Sequence, residues 1–392
     1  MRQPWFGWLA VSLGLVAAGC ATGPRADRPR PLSFDTTQPV AERPLDRAIA
    51  EGVAFLLKSQ NPDGSWGTGL QTRGTEIYSM VPGSHDAYRD GTTALCVMAL
   101  REALADRPDP AVAAAHSRGV KYLAEQADAR RDSGPLLYNI WAHIYGLQAL
   151  AIEMRHNSDP ALRSAALREL KKLQRYETYV GGWNYYDFAA QTQSPSLEPT
   201  SFGTAAGLVA LHEARQSGIP VPQRMIDLAV RRVEECRLPD GAYLYDSGGR
   251  YIPSRAFNRI GGSAGRMQSC NFALWLWGSP RVGEKESADG LRLMFENHKW
   301  LDMGRKRPYP HEAWYFNSGY YYYFGHYYAA RIIEKLPPSQ SRAEFARELV
   351  SHVAPYQEAD GSWWDYAMWD YHKPYGTAYA VMTLLRCREA MK

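Results

Sequence analysis

One short pattern, in which an aromatic residue follows a tight turn, returns along the chain. It reads QNPDGSWG at residues 60–67 and QEADGSWW at residues 357–364. Tyr243 takes the aromatic position in LPDGAY, and Trp183 takes it after a longer turn. Self-similarity at long intervals indicates an architecture of repeated units, each of which buries its apolar face against its neighbours.

The repeat contains a first kind of helix, with one apolar stripe and one charged face. Six segments of this kind recur at intervals of roughly 50 to 65 residues, within the range of helical-repeat proteins. A single apolar stripe predicts helices that lie on the outside of the fold. The six segments are GVAFLLKSQ (52–60), GVKYLAEQ (119–126), LRELKKLQ (167–174), AVRRVEEC (229–236), LRLMFENH (291–298) and ARELVSHVAPYQ (346–357).

A second kind of helix follows each of these segments and is apolar on nearly every side. Its small residues, Gly, Ala and Thr, allow neighbouring helices to approach closely, so these helices are predicted to be buried. The segments align in one frame, with Thr93, Thr204 and Thr377 at one level, His143 at the same level and Tyr322 there by a looser match. They lie at 91–100, 142–150, 202–211, 268–277, 319–329 and 376–384.

The alternation predicts an all-α fold, a closed (α/α)6 toroid of six outer and six inner helices over residues 44–392. The likeness of the first repeat to the last favours a ring over an open stack. In the repeated turn, Gly supplies the required backbone conformation, and the Trp is expected to cover the helix ends and join neighbouring repeats. We therefore predict a structural role for Trp66 and Trp363.

QNPDGSW and QEADGSW, each leading to an inner helix, resemble the QW repeats of squalene and other terpenoid cyclases. Related repeats occur in protein prenyltransferase β subunits and in the thioester domain of complement-like proteins. The resemblance implies the toroid but not the reaction. Terpenoid cyclases protonate an alkene with a DxDD motif and complement-like domains carry GCGEQ, and both motifs are absent here. The prenyltransferase zinc pair Asp-x-Cys is replaced by Gln268-Ser269-Cys270.

The N-terminus carries the features of an export signal. Residues 1–20 contain one Arg, an apolar run and the ending Ala-Ala-Gly-Cys, which resembles the lipobox of bacterial lipoproteins. We therefore expect lipidation at Cys20, a membrane as partner through this anchor, and a location in the cell envelope. Residues 21–43, rich in Pro and Arg, are expected to form a flexible tether.

Charge and cysteine content exclude several classes of protein. A net charge of +4 over 392 residues does not indicate a basic surface that binds nucleic acid, and the sequence contains no nucleic-acid-binding motif. No CxxC and no Cys/His ligand spacing is present, so neither a metal nor another cofactor is predicted. If a disulfide forms, Cys236 and Cys270 are the favoured pair.

The predicted ring implies a central cavity at the mouths of the inner helices. Asp90, His143, Arg266, Tyr322 and His372 are the ligand-binding candidates, and His143 and Tyr322 are expected to line the cavity. A wider set of expected mouth residues comprises His85, Asp86, Tyr88, Tyr138, Asn139, Tyr185, Asp187, His311, Glu312, Tyr315, Tyr320, His326, Asp365 and Tyr371.

Three functions fit this pattern. The first is a binding protein for a lipid or glycan, with aromatic faces that stack on the ligand. The second is a carbohydrate-active hydrolase or lyase that uses His, Tyr and Asp side chains of the cavity. The third is a structural protein of the cell envelope, which would need neither feature. A divergent terpenoid cyclase-like enzyme is a further alternative. The convergence or scatter of the candidate residues in space discriminates between these hypotheses.

Overall fold

The computed structural model describes most of the chain from residue 44 onward, in the ranges 44–72, 82–130, 138–189, 192–196, 198–248 and 255–392. These ranges contain thirteen α-helices and no β-strand. In chain order they are α1 (Leu45–Lys58), α2 (Pro82–Asp106), α3 (Pro110–Glu125), α4 (Ile140–Met154), α5 (Pro160–Tyr176), α6 (Ser201–Gln216), α7 (Gln223–Cys236), α8 (Ile260–Leu276), α9 (Glu284–Glu296), α10 (His298–Gly304), α11 (Tyr321–Lys335), α12 (Gln340–Val353) and α13 (His372–Ala390).

Six helices form a closed inner ring. Helix α2 packs against α4, α4 against α6, and the series continues through α8 and α11 to α13. Helix α13 then packs back against α2, and it also contacts α1. The first and last repeats are therefore neighbours, and the predicted closed (α/α)6 toroid is confirmed.

The outer ring consists of α1, α3, α5, α7, α9 and α12, with the short α10 after α9. Three outer helices begin at a side-chain cap that satisfies free backbone N–H groups. Asp109 accepts from the backbone of Ala111 at 2.7 Å, and Asp159 accepts from Ala161 at 2.8 Å. A Pro follows each of these Asp residues, where its fixed φ suits the first helical position.

The repeated Trp turn joins the two rings. Trp66 is fully buried, its indole Nε1 donates to the carbonyl oxygen of Leu56 at 2.8 Å, and its backbone N–H donates to Thr93 Oγ1 at 3.0 Å. The carbonyl belongs to an outer helix and the hydroxyl to an inner helix. Gly64 in the turn has a φ of 92°, a conformation that favours glycine. The predicted structural role of this turn agrees with these contacts.

The same arrangement recurs in two other repeats. The backbone N–H of Trp183 donates to Thr204 Oγ1 at 3.0 Å, and that of Trp363 donates to Thr377 Oγ1 at 2.9 Å. The aligned threonines therefore face the Trp turns. At this aligned position of the inner helices, side chains therefore point outward, away from the centre of the ring.

The remaining sequence predictions concern the cysteines and the N-terminus. Cys236 and Cys270 are both buried and free, so the favoured disulfide is not formed. In the described part of the chain, no helix has both the length and the apolar composition to cross a membrane. The predicted signal peptide, the tether and Cys20 lie outside the described residues.

Candidate functional site

The inner helices and their preceding loops enclose a cavity of about 310 Å³. Its walls are mostly aromatic, with eleven tyrosines, Trp141, Phe202 and Phe324 among the lining residues. No lining residue in the described ranges is a carboxylate, a lysine or an arginine. The eleven tyrosines are Tyr88, Tyr138, Tyr145, Tyr185, Tyr186, Tyr245, Tyr320, Tyr321, Tyr366, Tyr375 and Tyr379.

Helical spacing places many of these rings on one face of their helices. Trp141 and Tyr145 lie four residues apart on α4, and Tyr375 and Tyr379 lie four residues apart on α13. Residues at this spacing share a helix face. These four residues were not among the predicted cavity residues, although their spacing is visible in the sequence.

The phenol groups of the cavity are neutral hydrogen-bonding groups. Burial raises the pKa of Tyr138, and the pKa values of Tyr145 and Tyr379 are raised well above the usual range for the same reason. Tyr138 and Tyr186 share a hydrogen bond of 2.6 Å, and the Tyr379 hydroxyl donates to that of Tyr145. The walls therefore offer ring faces together with hydroxyls that are partly paired with one another.

An acid, Asp365, lies directly behind this wall. The hydroxyl of cavity-lining Tyr375 donates to Asp365 Oδ1 at 2.7 Å, and the backbone N–H of Tyr323 donates to Oδ2 at 3.1 Å. Asp365 is fully buried, and burial raises its pKa to about 7. The carboxyl can therefore hold or release a proton near neutral pH, in contact with a hydroxyl at the cavity surface.

A cation, Arg266 on α8, lies behind a different part of the wall. Its guanidinium carbon is 5.0 Å from the ring centroid of Tyr245, 5.6 Å from that of Tyr321 and 5.9 Å from that of Phe202. Arg266 is fully buried, and its Nη2 donates to the carbonyl oxygens of Gly262, at 3.1 Å, and Phe257. These contacts hold a positive charge against three cavity rings.

His311 is the imidazole among the residues that line the cavity. Its backbone is in the left-handed region, with a φ of 60°, and its N–H donates to Ser318 Oγ at 3.0 Å. Its Nδ1 lies 2.9 Å from the carbonyl oxygen of Phe316. Burial lowers the pKa of His311, so the ring is neutral at pH 7. Because Nδ1 donates its proton to the Phe316 carbonyl oxygen, Nε2 is left as an acceptor, 3.4 Å from the Tyr320 hydroxyl.

The structure brings part of the wider predicted set to the cavity. Of these residues, Tyr88, Tyr138, Tyr185, His311 and Tyr320 line it. Their positions in the sequence predicted this, because each of them precedes an inner helix or lies near its start.

The five principal candidates do not converge in the cavity, and none is among its lining residues. Asp90 accepts from the Tyr122 hydroxyl on α3 at 2.8 Å, while His372 Nδ1 contacts the carbonyl oxygen of Trp369. Burial raises the pKa of Asp90 to about 7. Arg266 alone touches the cavity wall, through the rings described above.

The expectation that His143 and Tyr322 line the cavity was wrong. His143 Nδ1 lies 2.5 Å from Glu169 Oε2 on α5, and the Tyr322 hydroxyl donates to the carbonyl oxygen of His352 on α12 at 2.8 Å. The physical reason is that both residues align with Thr93, Thr204 and Thr377, whose side chains face the Trp turns. A turn of about 100° per residue then directs Tyr322 outward while Tyr321 faces the cavity.

Among the described residues, no group of three or more His, Cys, Asp or Glu side chains is placed to hold a metal ion. The arrangement can therefore offer ring stacking, neutral hydroxyl contacts, one acid behind Tyr375 and one cation behind Tyr245.

Comparison with known proteins shows the fold. No protein-family model matches the sequence, and neither does any curated protein. The GH76A α-1,6-mannanase of Salegentibacter sp. HEL1_6 has a TM-score of 0.55 at 9% identity, over 89% of this chain and 100% of that chain. A protein of Klebsiella pneumoniae, described as a possible member of the GH105 family, has a TM-score of 0.56 at 13% identity, over 93% and 100%.

A third similar structure is a variant of the type II terpene cyclase MstE from Scytonema, in complex with geranylgeranyl dihydroxybenzoate. Its TM-score is 0.52 at 14% identity, over 88% of this chain and 97% of that chain. At these identities the likeness concerns the fold alone, because one fold supports unrelated chemistries. The chain therefore shares the α/α toroid fold of both carbohydrate hydrolases and a terpene cyclase.

Proposed function

We propose that the protein binds one small lipid in its aromatic cavity. The observation that carries this proposal is that fourteen aromatic rings line the cavity. Among the described residues, no charged side chain lines it. Such rings bury apolar ligand surface, and about 310 Å³ of space accommodates a short chain or a small ring system. An isoprenoid-like ligand, with few polar groups, fits these walls best.

A glycan is the less favoured ligand for this surface. A sugar carries many hydroxyls, and each that loses water without gaining a partner costs free energy. Several wall hydroxyls already pair with one another or with Asp365, as in Tyr138 with Tyr186 and in Tyr375 with Asp365. Few donors and acceptors therefore stay available for a polyol.

A carbohydrate-active hydrolase is the second candidate, and the comparisons favour it more than they favour lipid binding. Two of the three described similar structures are a mannanase and a GH105-like protein. In the cavity, Asp365 with its raised pKa supports a general acid that acts through Tyr375. Glycoside hydrolysis usually needs two facing carboxylates, and the described lining offers none directly. A divergent terpenoid cyclase-like enzyme would use the same single acid.

Calorimetric titration with geraniol and with mannotriose tests the proposal. We expect wild-type protein to bind geraniol, and Thr92→Phe to weaken that binding by at least about tenfold, because the added ring fills the cavity. Tyr322→Phe is the control, since it alters a buried tyrosine outside the cavity.

Binding of mannotriose without binding of geraniol would contradict the lipid proposal. Release of reducing ends from mannotriose, lost in Asp365→Asn, would establish the second candidate in its place. Melting temperatures of all variants separate loss of binding from loss of the fold.

The membrane tether belongs to the same proposal. A lipid anchor at Cys20 and a tether over residues 21–43 would hold the toroid at a membrane of the cell envelope. The motif at residues 17–20 supports this part of the proposal. A ligand taken from a lipid phase would then be close to the cavity.

A further inference from the structure

Arg266 is a buried charge whose partners in the structure are incomplete. Its side chain has no exposed surface, and its two hydrogen bonds go to the backbone carbonyl oxygens of Phe257 and Gly262. Its Nε and Nη1 atoms are buried without a hydrogen-bond partner, and no carboxylate in the described part of the chain forms an ion pair with it. Burial of an ion without a counter-ion is costly, so a function for this charge is expected.

The charge acts on the cavity through three of its rings. Tyr245, Tyr321 and Phe202 all line the cavity, and all lie within 6 Å of the guanidinium carbon. An aromatic face attracts cations because it is electron-rich. A guanidinium against these rings withdraws that electron density, so the wall becomes unfavourable for a second cation and favourable for an anion.

The rest of the cavity strengthens this polarity. His311, on the same side as Tyr245, is 5.9 Å from the Tyr245 ring and is neutral, so it places no negative charge at this end of the cavity. The acid Asp365 lies behind a different wall, at Tyr375. When Asp365 is ionised it repels a negative group, and it thereby reinforces the preference for the Arg266 end.

We infer that the cavity ligand carries an anionic group, a carboxylate or a phosphate, and that this group occupies the end of the cavity at Tyr245, Tyr321 and Phe202. Arg266 selects it electrostatically as a positioning residue. The inference rests on the proposed function, and it specifies the ligand as an amphiphile with a negative head and an apolar tail that extends towards Tyr375.

Matched probes that differ only in the head group test this inference. Wild-type protein is titrated with geranic acid, geraniol, geranyl phosphate and geranylamine, at pH 8 and at low salt. We expect geranic acid or geranyl phosphate to bind at least about tenfold more tightly than geraniol, and geranylamine to bind most weakly. Glucuronic acid against glucose forms a second pair, which identifies a sugar acid as the source of the anion.

Two variants locate the effect at Arg266. Arg266→Met removes the charge and is expected to bring the acid-to-alcohol affinity ratio close to one. Arg266→Lys keeps the charge and should retain most of the preference. Circular dichroism and melting temperature verify that each variant is folded.

The outcomes separate the inference from the proposed function. Equal binding of geranic acid, geranyl phosphate and geraniol by wild-type protein overturns the inference and leaves lipid binding in place. A preference for the acid that survives in folded Arg266→Met also overturns it. Failure of folded wild-type protein to bind any probe overturns both. The wild-type comparison decides the matter even if Arg266→Met does not fold.

Discussion

The side-chain amide of Gln357 donates a hydrogen bond of 2.9 Å to the carbonyl oxygen of Ala48, across a separation of 309 residues in the chain. Gln60 makes the equivalent contact with Ala115 in the next repeat at 2.8 Å. The junction between the last and first repeats therefore uses the same bond as a junction within the chain. The last repeat therefore contacts the first repeat in the way that each repeat contacts the next, and this contact closes the ring.

We predict that Gln357→Ala lowers the free energy of unfolding by about 1–2 kcal/mol, because a buried hydrogen bond is lost. Gln60→Ala is the matched variant and should cost a similar amount. Urea unfolding followed by circular dichroism measures both. A negligible loss for Gln357→Ala beside a clear loss for Gln60→Ala would show that the closing junction contributes little.

Trp363→Ala should lower the free energy of unfolding by about 3–5 kcal/mol, the range for large aromatic deletions in a core. Its ring is fully buried and packs against Gly52 of α1, where an added Cβ would lie 2.7 Å from the ring. Trp66→Ala, whose ring packs in the same way against Gly119, should cost a comparable amount. Lost ligand binding without a change in melting temperature would instead place these rings in a site.

The raised pKa of Asp365 predicts a distinct pH dependence of the free energy of unfolding. Its pKa is about 7 in the folded protein and close to 3.8 without burial. Between these values the folded state holds a proton that the unfolded state has released, so this group lowers stability as the pH rises from about 4 to about 7. A difference of about 3 pKa units corresponds to at most about 4 kcal/mol.

Asp365→Asn removes this proton linkage but keeps an oxygen that can accept a hydrogen bond. The stability of the variant relative to wild type should therefore rise between pH 4 and pH 7 and stay constant above pH 7. Guanidinium unfolding at several pH values measures the difference. A difference that does not vary with pH would mean that Asp365 keeps an ordinary pKa.

His143→Ala should affect folding more than ligand binding. The substitution removes the 2.5 Å contact with Glu169 and leaves a buried carboxylate with one partner fewer, which should cost about 2–3 kcal/mol. Geraniol affinity, measured below the melting transition, should change less than about threefold. Glu169→Gln tests the other side of the pair. A large loss of affinity in a stable His143→Ala protein would restore a ligand role for His143.

Cys20→Ala should abolish lipid labelling and move the protein from the membrane fraction to the soluble fraction, because the buried acyl chains would supply the membrane affinity. Ser12→Ala, within the same N-terminal segment, is the control and should leave the distribution unchanged. Unchanged fractionation of Cys20→Ala would remove the lipoprotein proposal.

The toroid was predictable from the sequence because its determinants are local and repeated. An apolar stripe identifies an outer helix, a wholly apolar segment identifies an inner helix, and the turn at Trp66 recurs at Trp363. Each of these signals depends on residues within one or two turns of each other. The number of repeats then predicted the number of units, and the likeness of the first and last repeats predicted that the ring closes.

The contents of the cavity were decided by tertiary structure. Tyr321 and Tyr322 are adjacent in the sequence and chemically identical, yet Tyr321 lines the cavity and Tyr322 donates to an outer helix. Helix rotation about its axis settles which of them faces inward, and packing against neighbouring repeats sets that rotation. The sequence named Arg266 as a candidate, but its three aromatic neighbours come from α6, α11 and the loop before α8. These segments meet around that charge because α8 packs between α6 and α11, and no local pattern encodes which side chains will meet there.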